Sequence, residues 1–229
     1  MHEIHRWKHI TNNPVIIKVI PCCVDTELFN PSKINYEHQQ ILREKLGIEK
    51  NDFVLSYLGS IGTWYMLDEM LDFFALLKNK ISNAKFLFIT YDEHEKIIKT
   101  ATKKNITKSD IIIRNANRNE VPIVVSISDF SIFFILPLYS KMSSSPTKQG
   151  EIMAMGIPVI CNAGIGDTDD IVNKYDAGYI VHKFEYNQVL KSIIEKKEIN
   201  KENIIKGAVE YFSLESGVQK YLEVYNRLF

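Results

Sequence analysis

The segment Phe130–Leu136 (FSIFFIL) is apolar apart from one serine and shows no polar alternation. A strand of this kind fits only a sheet covered on both faces, as in parallel sheets flanked by helices. The rest of the chain agrees, because strand-length apolar runs alternate with segments of helical period almost to its end. Strands are expected at Val15–Ile20, Phe53–Leu58, Lys85–Thr90, Asp110–Arg114, Phe130–Leu136, Pro158–Cys161 and Gly178–Val181. Helices are expected at Glu37–Leu46, Tyr65–Leu77, Glu93–Lys103, Asn119–Ser126, Pro146–Met155 and Asp169–Lys174. After the last strand only helices follow, at Tyr186–Lys196, Glu202–Phe212 and Glu215–Leu228. In Tyr65–Leu77 the apolar positions Met66, Leu67, Met70, Leu71, Phe74 and Leu77 recur mostly at three- and four-residue spacings, the helical period.

This order predicts a single α/β domain, a doubly wound Rossmann-like parallel sheet with C-terminal helices and no linker or internal repeat. Ligands of such sheets lie beyond the carboxyl ends of the strands. The loops after Leu58, Arg114, Leu138 and Cys161 therefore carry the candidate site.

With 28 basic and 28 acidic residues the chain is formally neutral and has no block of like charge. That balance excludes a dedicated nucleic-acid binder and a polybasic membrane anchor, so a ligand must be held by local geometry. Hydrophobic residues make up 45% of the 229 positions, which supplies a sizeable core and excludes disorder. Cys22 and Cys23 are adjacent and Cys161 is remote, giving neither a disulfide framework nor a CxxC motif. No apolar run approaches the ~20 residues of a membrane span. The polar opening Met1–His9 does not resemble a secretory signal. A soluble, cytoplasmic domain with a polar arm over residues 1–14 is the expectation.

The most informative stretch is Ser143–Ile160 (SSSPTKQGEIMAMGIPVI). Ser145 suits the N-cap of a helix and Pro146 its first residue, which would aim free backbone amides into the crevice. Those amides, the helix dipole and a partly exposed Lys148 in the first turn attract phosphate. Glu151 lies four positions after Thr147, on the same face. Its carboxylate accepts two hydrogen bonds at once and suits a vicinal diol such as that of ribose. An ordinary capped helix with a solvated lysine and glutamate fits the same residues.

In the loop Leu58–Tyr65 (LGSIGTWY), Gly59 and Gly62 bracket Ser60, with Thr63 close behind. The glycines allow close backbone approach to a ligand, but the loop is neither a Walker A motif nor GxGxxG. Asn162–Asp170 (NAGIGDTDD) has Gly164 and Gly166 without a third glycine at the dinucleotide spacing. Asp167, Asp169 and Asp170 are read as acidic residues complementing a helix dipole, not as metal ligands. His5 and His9 have ligand spacing but no third ligand. No GxSxG elbow or cysteine–histidine arrangement supports nucleophilic hydrolysis.

Taken in order, VIPCCVDTELFNPS (Val19–Ser32), YLGSIGTWYMLDEML, SDFSIFFI, SPTKQGEIMAMGIPVI and the closing FSLESGVQKYLEVYNRLF resemble the C-terminal, donor-binding domain of family 4 (group 1) retaining glycosyltransferases of the GT-B fold. The resemblance implies a nucleotide-sugar site in which Glu151 and Lys148 are the catalytic groups, on the ribose and the diphosphate respectively. Gly59, Ser60, Gly62, Thr63, Asn115, Ser143, Ser145, Thr147, Gly164 and Gly166 would line the donor. Backbone around Arg114–Asn117 would meet the base, and Asn162–Asp167 the sugar. It further implies retention of the anomeric configuration, no metal or other cofactor, and a departing phosphate that takes the acceptor's proton.

Several positions depart from the family pattern. Ser143 replaces the first of two glutamates eight apart, Ser60 replaces an arginine, and a lysine position falls at or near Tyr65. Cys22 and Cys23 stand where the family has asparagine and glycine. Only the donor half of a GT-B enzyme is expected here, with the acceptor domain elsewhere in the same gene or on a separate chain. The isolated donor half would then be inactive, and any peripheral membrane contact would run through the missing half. The alternative is a non-catalytic nucleotide-sugar binding or regulatory module. Val218, Tyr221, Leu222, Tyr225 and Leu228 form a helical apolar stripe. It would be partly exposed and drive self-association, or else pack on its own domain.

Overall fold

The computed structural model describes residues 18–195 and 198–227. Six parallel strands form one sheet: β1 (Phe53–Leu58), β2 (Ala84–Ile89), β3 (Ile111–Arg114), β4 (Phe130–Phe133), β5 (Val159–Asn162) and β6 (Gly178–Val181). Their order is β3-β2-β1-β4-β5-β6, the doubly wound Rossmann-like order. Winding starts at β1, runs outward to β3, then reverses across β1 to β4. The crevice at the carboxyl ends opens at that reversal.

Both faces of the central strands are covered, so all of β4 and all of β1 after Phe53 are buried. Ser56 and Ser131 stand opposite one another, and Ser131 Oγ donates to the Ser56 carbonyl at 3.2 Å. The one hydroxyl inside FSIFFIL is thereby satisfied without breaking the apolar layer.

The helices are α1 (Tyr36–Lys45), α2 (Leu67–Lys78), α3 (His94–Lys103), α4 (Val121–Val125), α5 (Thr147–Ala154), α6 (Thr168–Tyr175), α7 (Asn187–Ile194), α8 (Lys201–Gly207) and α9 (Leu214–Tyr225). Most expected elements appear within one or two residues. The differences have local causes. β4 stops at Phe133, short of Leu136, because the Asn162 side chain takes over the pairing: its Oδ1 accepts from Ile135 N at 2.7 Å and its Nδ2 donates to Ile135 O at 2.9 Å. α2 starts at Leu67 and not Tyr65, since Tyr65 bridges Ile135 and Met66 N donates to Phe134 O. The expected helix at Asn119–Ser126 shrinks to α4, because Asn117 and Glu120 close its first turn into a capped loop. Helix Glu202–Phe212 ends its α geometry at Gly207 and continues as a π-helical turn, Ala208–Phe212. The expected strand Val15–Ile20 lies largely outside the described residues, and 18–20 carry no regular structure.

Val24 joins the two ends of the described chain. Its amide donates to Phe212 O at 2.7 Å, and it bridges Ser213. Both Val24 and Phe212 press on Gly150 of α5, where a Cβ would sit 2.7 Å and 2.9 Å from them. α9 rests on Cys23 through Gly217, its one buried residue. Its stripe of Val218, Tyr221, Leu222 and Tyr225 is 44–56% exposed, so the whole of it does not pack on its own domain; Leu228 lies outside the described residues. Among the described residues no helix is long and apolar enough to cross a membrane.

Candidate functional site

α5 begins one residue later than expected. Pro146 occupies the cap position with extended backbone and Thr147 is the first helical residue. Ser145 does not cap it: its Oγ is turned to the amide of Cys22, which donates to it at 3.4 Å.

Lys148 is not at the surface. It is 8% exposed, with Nζ 3.6 Å from the Tyr65 ring centroid and 4.5 Å from that of Tyr57. Nζ donates to Tyr57 Oη at 3.1 Å, and Tyr57 Oη in turn donates to the Ser60 carbonyl. Gly59, with φ +114°, makes room for this ammonium, since a Cβ there would lie 2.9 Å from Nζ. Burial pushes the lysine pKa down to about 7, against the opposing pull of the Glu151 and Asp92 carboxylates. Burial also raises that of Tyr57, reinforced by Tyr65 and Asp92, so the phenol stays neutral. Tyr65 thus supplies a ring face to the Lys148 ammonium.

The loop after β1 is folded onto Asp92, which follows β2. Asp92 Oδ2 accepts from Ser60 Oγ at 2.8 Å and from the Ile61 amide, and Gly62 N donates to Ser60 Oγ at 3.2 Å. Beside it lies a cleft of about 260 Å³ bounded by Gly59, Ser60, Thr90, Asp92, Ala116 and Val121. Larger cavities, about 990 Å³ over β6 and α7 and about 650 Å³ toward the amino ends of the strands, contain none of the expected site residues.

Glu151 is 9% exposed, and its Oε1 accepts from Arg118 Nη1 at 2.9 Å. Asn115, at the end of β3, pairs through Oδ1 with His94 Nε2 at 3.1 Å. Thr63 and Thr147 are exposed. Ser143 is exposed too, its Oγ donating to Ser140 O at 3.2 Å. Gly164 N donates to Asp169 Oδ2 at 3.1 Å, and Gly166 N to Lys141 O at 3.1 Å. Gly166 seats its loop against the backbone of Ser144. Asp167 accepts from Tyr211 Oη.

The structure therefore gathers Gly59, Ser60 and Lys148 at the end of β1, with Glu151 three residues further along α5. Two residues escaped sequence reasoning. Arg118 lies one position beyond the loop segment singled out, and Asp92 two positions beyond the expected end of the second strand.

This architecture defines a Rossmann-like domain with its polar groups at the strand-order reversal, the kind of unit from which GT-B glycosyltransferases are built. Residues 38–211 match the family described as glycosyl transferases group 1, and the chain belongs to that family. It is 28% identical over 170 residues to the capsular polysaccharide biosynthesis glycosyltransferase CapM of Staphylococcus aureus, covering 71% of this chain and 41% of CapM. Sucrose-phosphate synthase of Thermosynechococcus elongatus superposes with a TM-score of 0.73 at 16% identity, over 100% of this chain and 57% of the synthase. HepE of Anabaena, in complex with UDP-glucose, superposes with a TM-score of 0.72 at 15% identity, over 97% of this chain and 61% of HepE. The chain thus spans about half the length of the proteins it resembles.

Proposed function

We propose that this chain is the donor-binding unit of a family 4 retaining glycosyltransferase, which moves a sugar from a nucleoside-diphosphate sugar to a glycan, lipid or small acceptor. The observation that carries this reading is the placement of Lys148 beside the backbone of Gly59, with Glu151 one turn along the same helix. An ammonium and helix amides receive a diphosphate, and a carboxylate accepts from the two ribose hydroxyls. UDP-glucose in HepE supports a nucleotide sugar as the ligand. Ser60, Gly62, Thr63, Asn115, Ser143, Ser145, Thr147, Gly164 and Gly166 complete the donor-facing surface in this reading. Sugar transfer requires an acceptor held against the anomeric carbon. We assign that task to a further domain, without which the chain is inactive. Ser143, in place of a carboxylate, favours as second reading a non-catalytic nucleotide-sugar module; transfer restored by adding an acceptor domain would exclude it.

Calorimetric titration with a panel of nucleoside diphosphates tests the reading. Glu151→Gln is expected to weaken binding about tenfold to a hundredfold, the value of a lost charge-assisted hydrogen bond. Binding should persist in EDTA, since Asp167, Asp169 and Asp170, at the start of α6, are assigned to helix polarity and not to coordination. Equal affinities for the wild type and a folded Glu151→Gln variant would remove Glu151 from the site, and an absolute need for a divalent ion would restore the aspartates as ligands.

The exposed stripe of α9 is the surface we assign to self-association in the absence of that further domain. Sedimentation velocity should show a concentration-dependent dimer that Tyr221→Glu with Tyr225→Glu abolishes. A monomer at all concentrations would refute it.

A further inference from the structure

The loop after β3 is tied from within. Asn117 Oδ1 accepts from the amides of Asn119 at 3.1 Å and Glu120 at 3.2 Å, while Glu120 Oε2 accepts from Asn117 N at 3.0 Å. Glu120 Oε1 accepts from Arg114 Nη2 at 3.3 Å. Arg118 projects from this loop with its guanidinium 5.4 Å from the ring centroid of buried Phe29 and Nη1 2.9 Å from Glu151 Oε1. Its side chain is 58% exposed and that of Glu151 11%, so the arginine reaches from the solvent side to a carboxylate inside the crevice.

Lys148 and Glu151 are three residues apart on α5, and such positions are neighbours on a helix surface. Unrestrained, the two opposite charges would pair and leave neither free for a ligand. Two devices keep them apart: the rings of Tyr57 and Tyr65 hold Nζ, and Arg118 holds Oε1. A planar guanidinium suits this task because its donors have fixed directions, which a lysine ammonium lacks. We propose that Arg118 is a positioning residue for nucleotide recognition, holding Glu151 by one oxygen so that the carboxylate faces a ribose diol instead of Lys148. The proposal rests on the reading of Glu151 as the ribose acceptor. Because an exposed arginine contributes little to folding through its ion pair, Arg118→Ala should fold normally.

Calorimetric titration of the full chain with UDP and with 2′,3′-dideoxy-UDP tests the proposal. Wild type should prefer UDP by about tenfold or more, the value of charge-assisted hydrogen bonds to the diol, and Glu151→Gln should lose most of that preference. Arg118→Ala should lose most of it as well, with affinity for the dideoxy compound unchanged, and Arg118→Lys should restore part. An Arg118→Ala variant that keeps the preference, or that weakens both ligands equally, overturns the positioning role. A wild type without preference instead removes ribose from Glu151, and with it the reading on which the proposal stands.

Discussion

Lys148→Met is expected to stabilise the protein while removing its affinity for nucleoside diphosphates. Lowering the lysine pKa from 10.5 to about 7 corresponds to a folding cost on the order of 5 kcal/mol whenever the pH is at or below 7. The Tyr57 and Tyr65 rings return about 2 kcal/mol of that as cation–π attraction. Methionine fills the same slot without charge, and its sulfur suits aromatic neighbours, so a gain of about 3 kcal/mol is expected. The pH dependence has a definite sign. Between pH 7 and 10.5 the unfolded chain binds more protons at this site than the folded one, so wild-type stability should rise with pH in that window. The methionine variant should lack this rise.

Ligand binding runs the other way, because a diphosphate favours the charged lysine. Affinity should fall about tenfold per pH unit above 7 in wild type, as one proton is taken up on binding. Urea unfolding and calorimetry across pH 7 to 9 measure both trends. A destabilised Lys148→Met variant would mean that the ammonium is part of what holds the fold.

The second large effect is expected at Gly166, with Gly164 as its control. Both have positive φ, +50° and +86°, so any side chain costs about 1 to 2 kcal/mol at either. They differ in what surrounds them. A Cβ at Gly164 meets nothing within 4 Å, whereas one at Gly166 would lie 1.8 Å from the Ser144 carbonyl oxygen. That atom is backbone and cannot swing aside. Gly166→Ala should therefore cost about 3 kcal/mol or more, or push the 139–145 loop out of the crevice and weaken donor binding correspondingly. Gly164→Ala should remain within the smaller figure. Similar melting temperatures and affinities for the two variants would show that the seat of Gly166 on Ser144 carries no such constraint.

How far the sequence foretold these features differs between fold and site. Strand β1 fell on its expected residues because an apolar run bounded by turn residues records burial directly, and β6 did so although only its last residue, Val181, is fully buried. The sequence foretold a doubly wound parallel sheet, but the order in which its strands pair came only from the structure. Where side chains replaced the backbone ladder, as Asn162 does for Ile135, no periodicity marked the change. Glu151 and Lys148 were readable as a pair on one helix. The depth of Lys148 was not, since it depends on Tyr57 and Tyr65 arriving from a distant strand and loop. Arg118 and Asp92 escaped for the same reason: each acts through a partner 33 or 31–32 residues away, and nothing in their own neighbourhoods sets them apart from solvated charges.

The fit of Val24 and Phe212 against Gly150 has a mechanical meaning. Where the chain enters the described domain and where it turns into its last helix, it leans on a single point of α5, flanked by Gln149 and Glu151. With no methyl group between them to act as a cushion, the incoming segment cannot slide without displacing that helix. Any side chain at Gly150 would have to part Val24 and Phe212 from α5, so the entry segment and the turn into the last helix are seated on the same helix that carries Lys148 and Glu151.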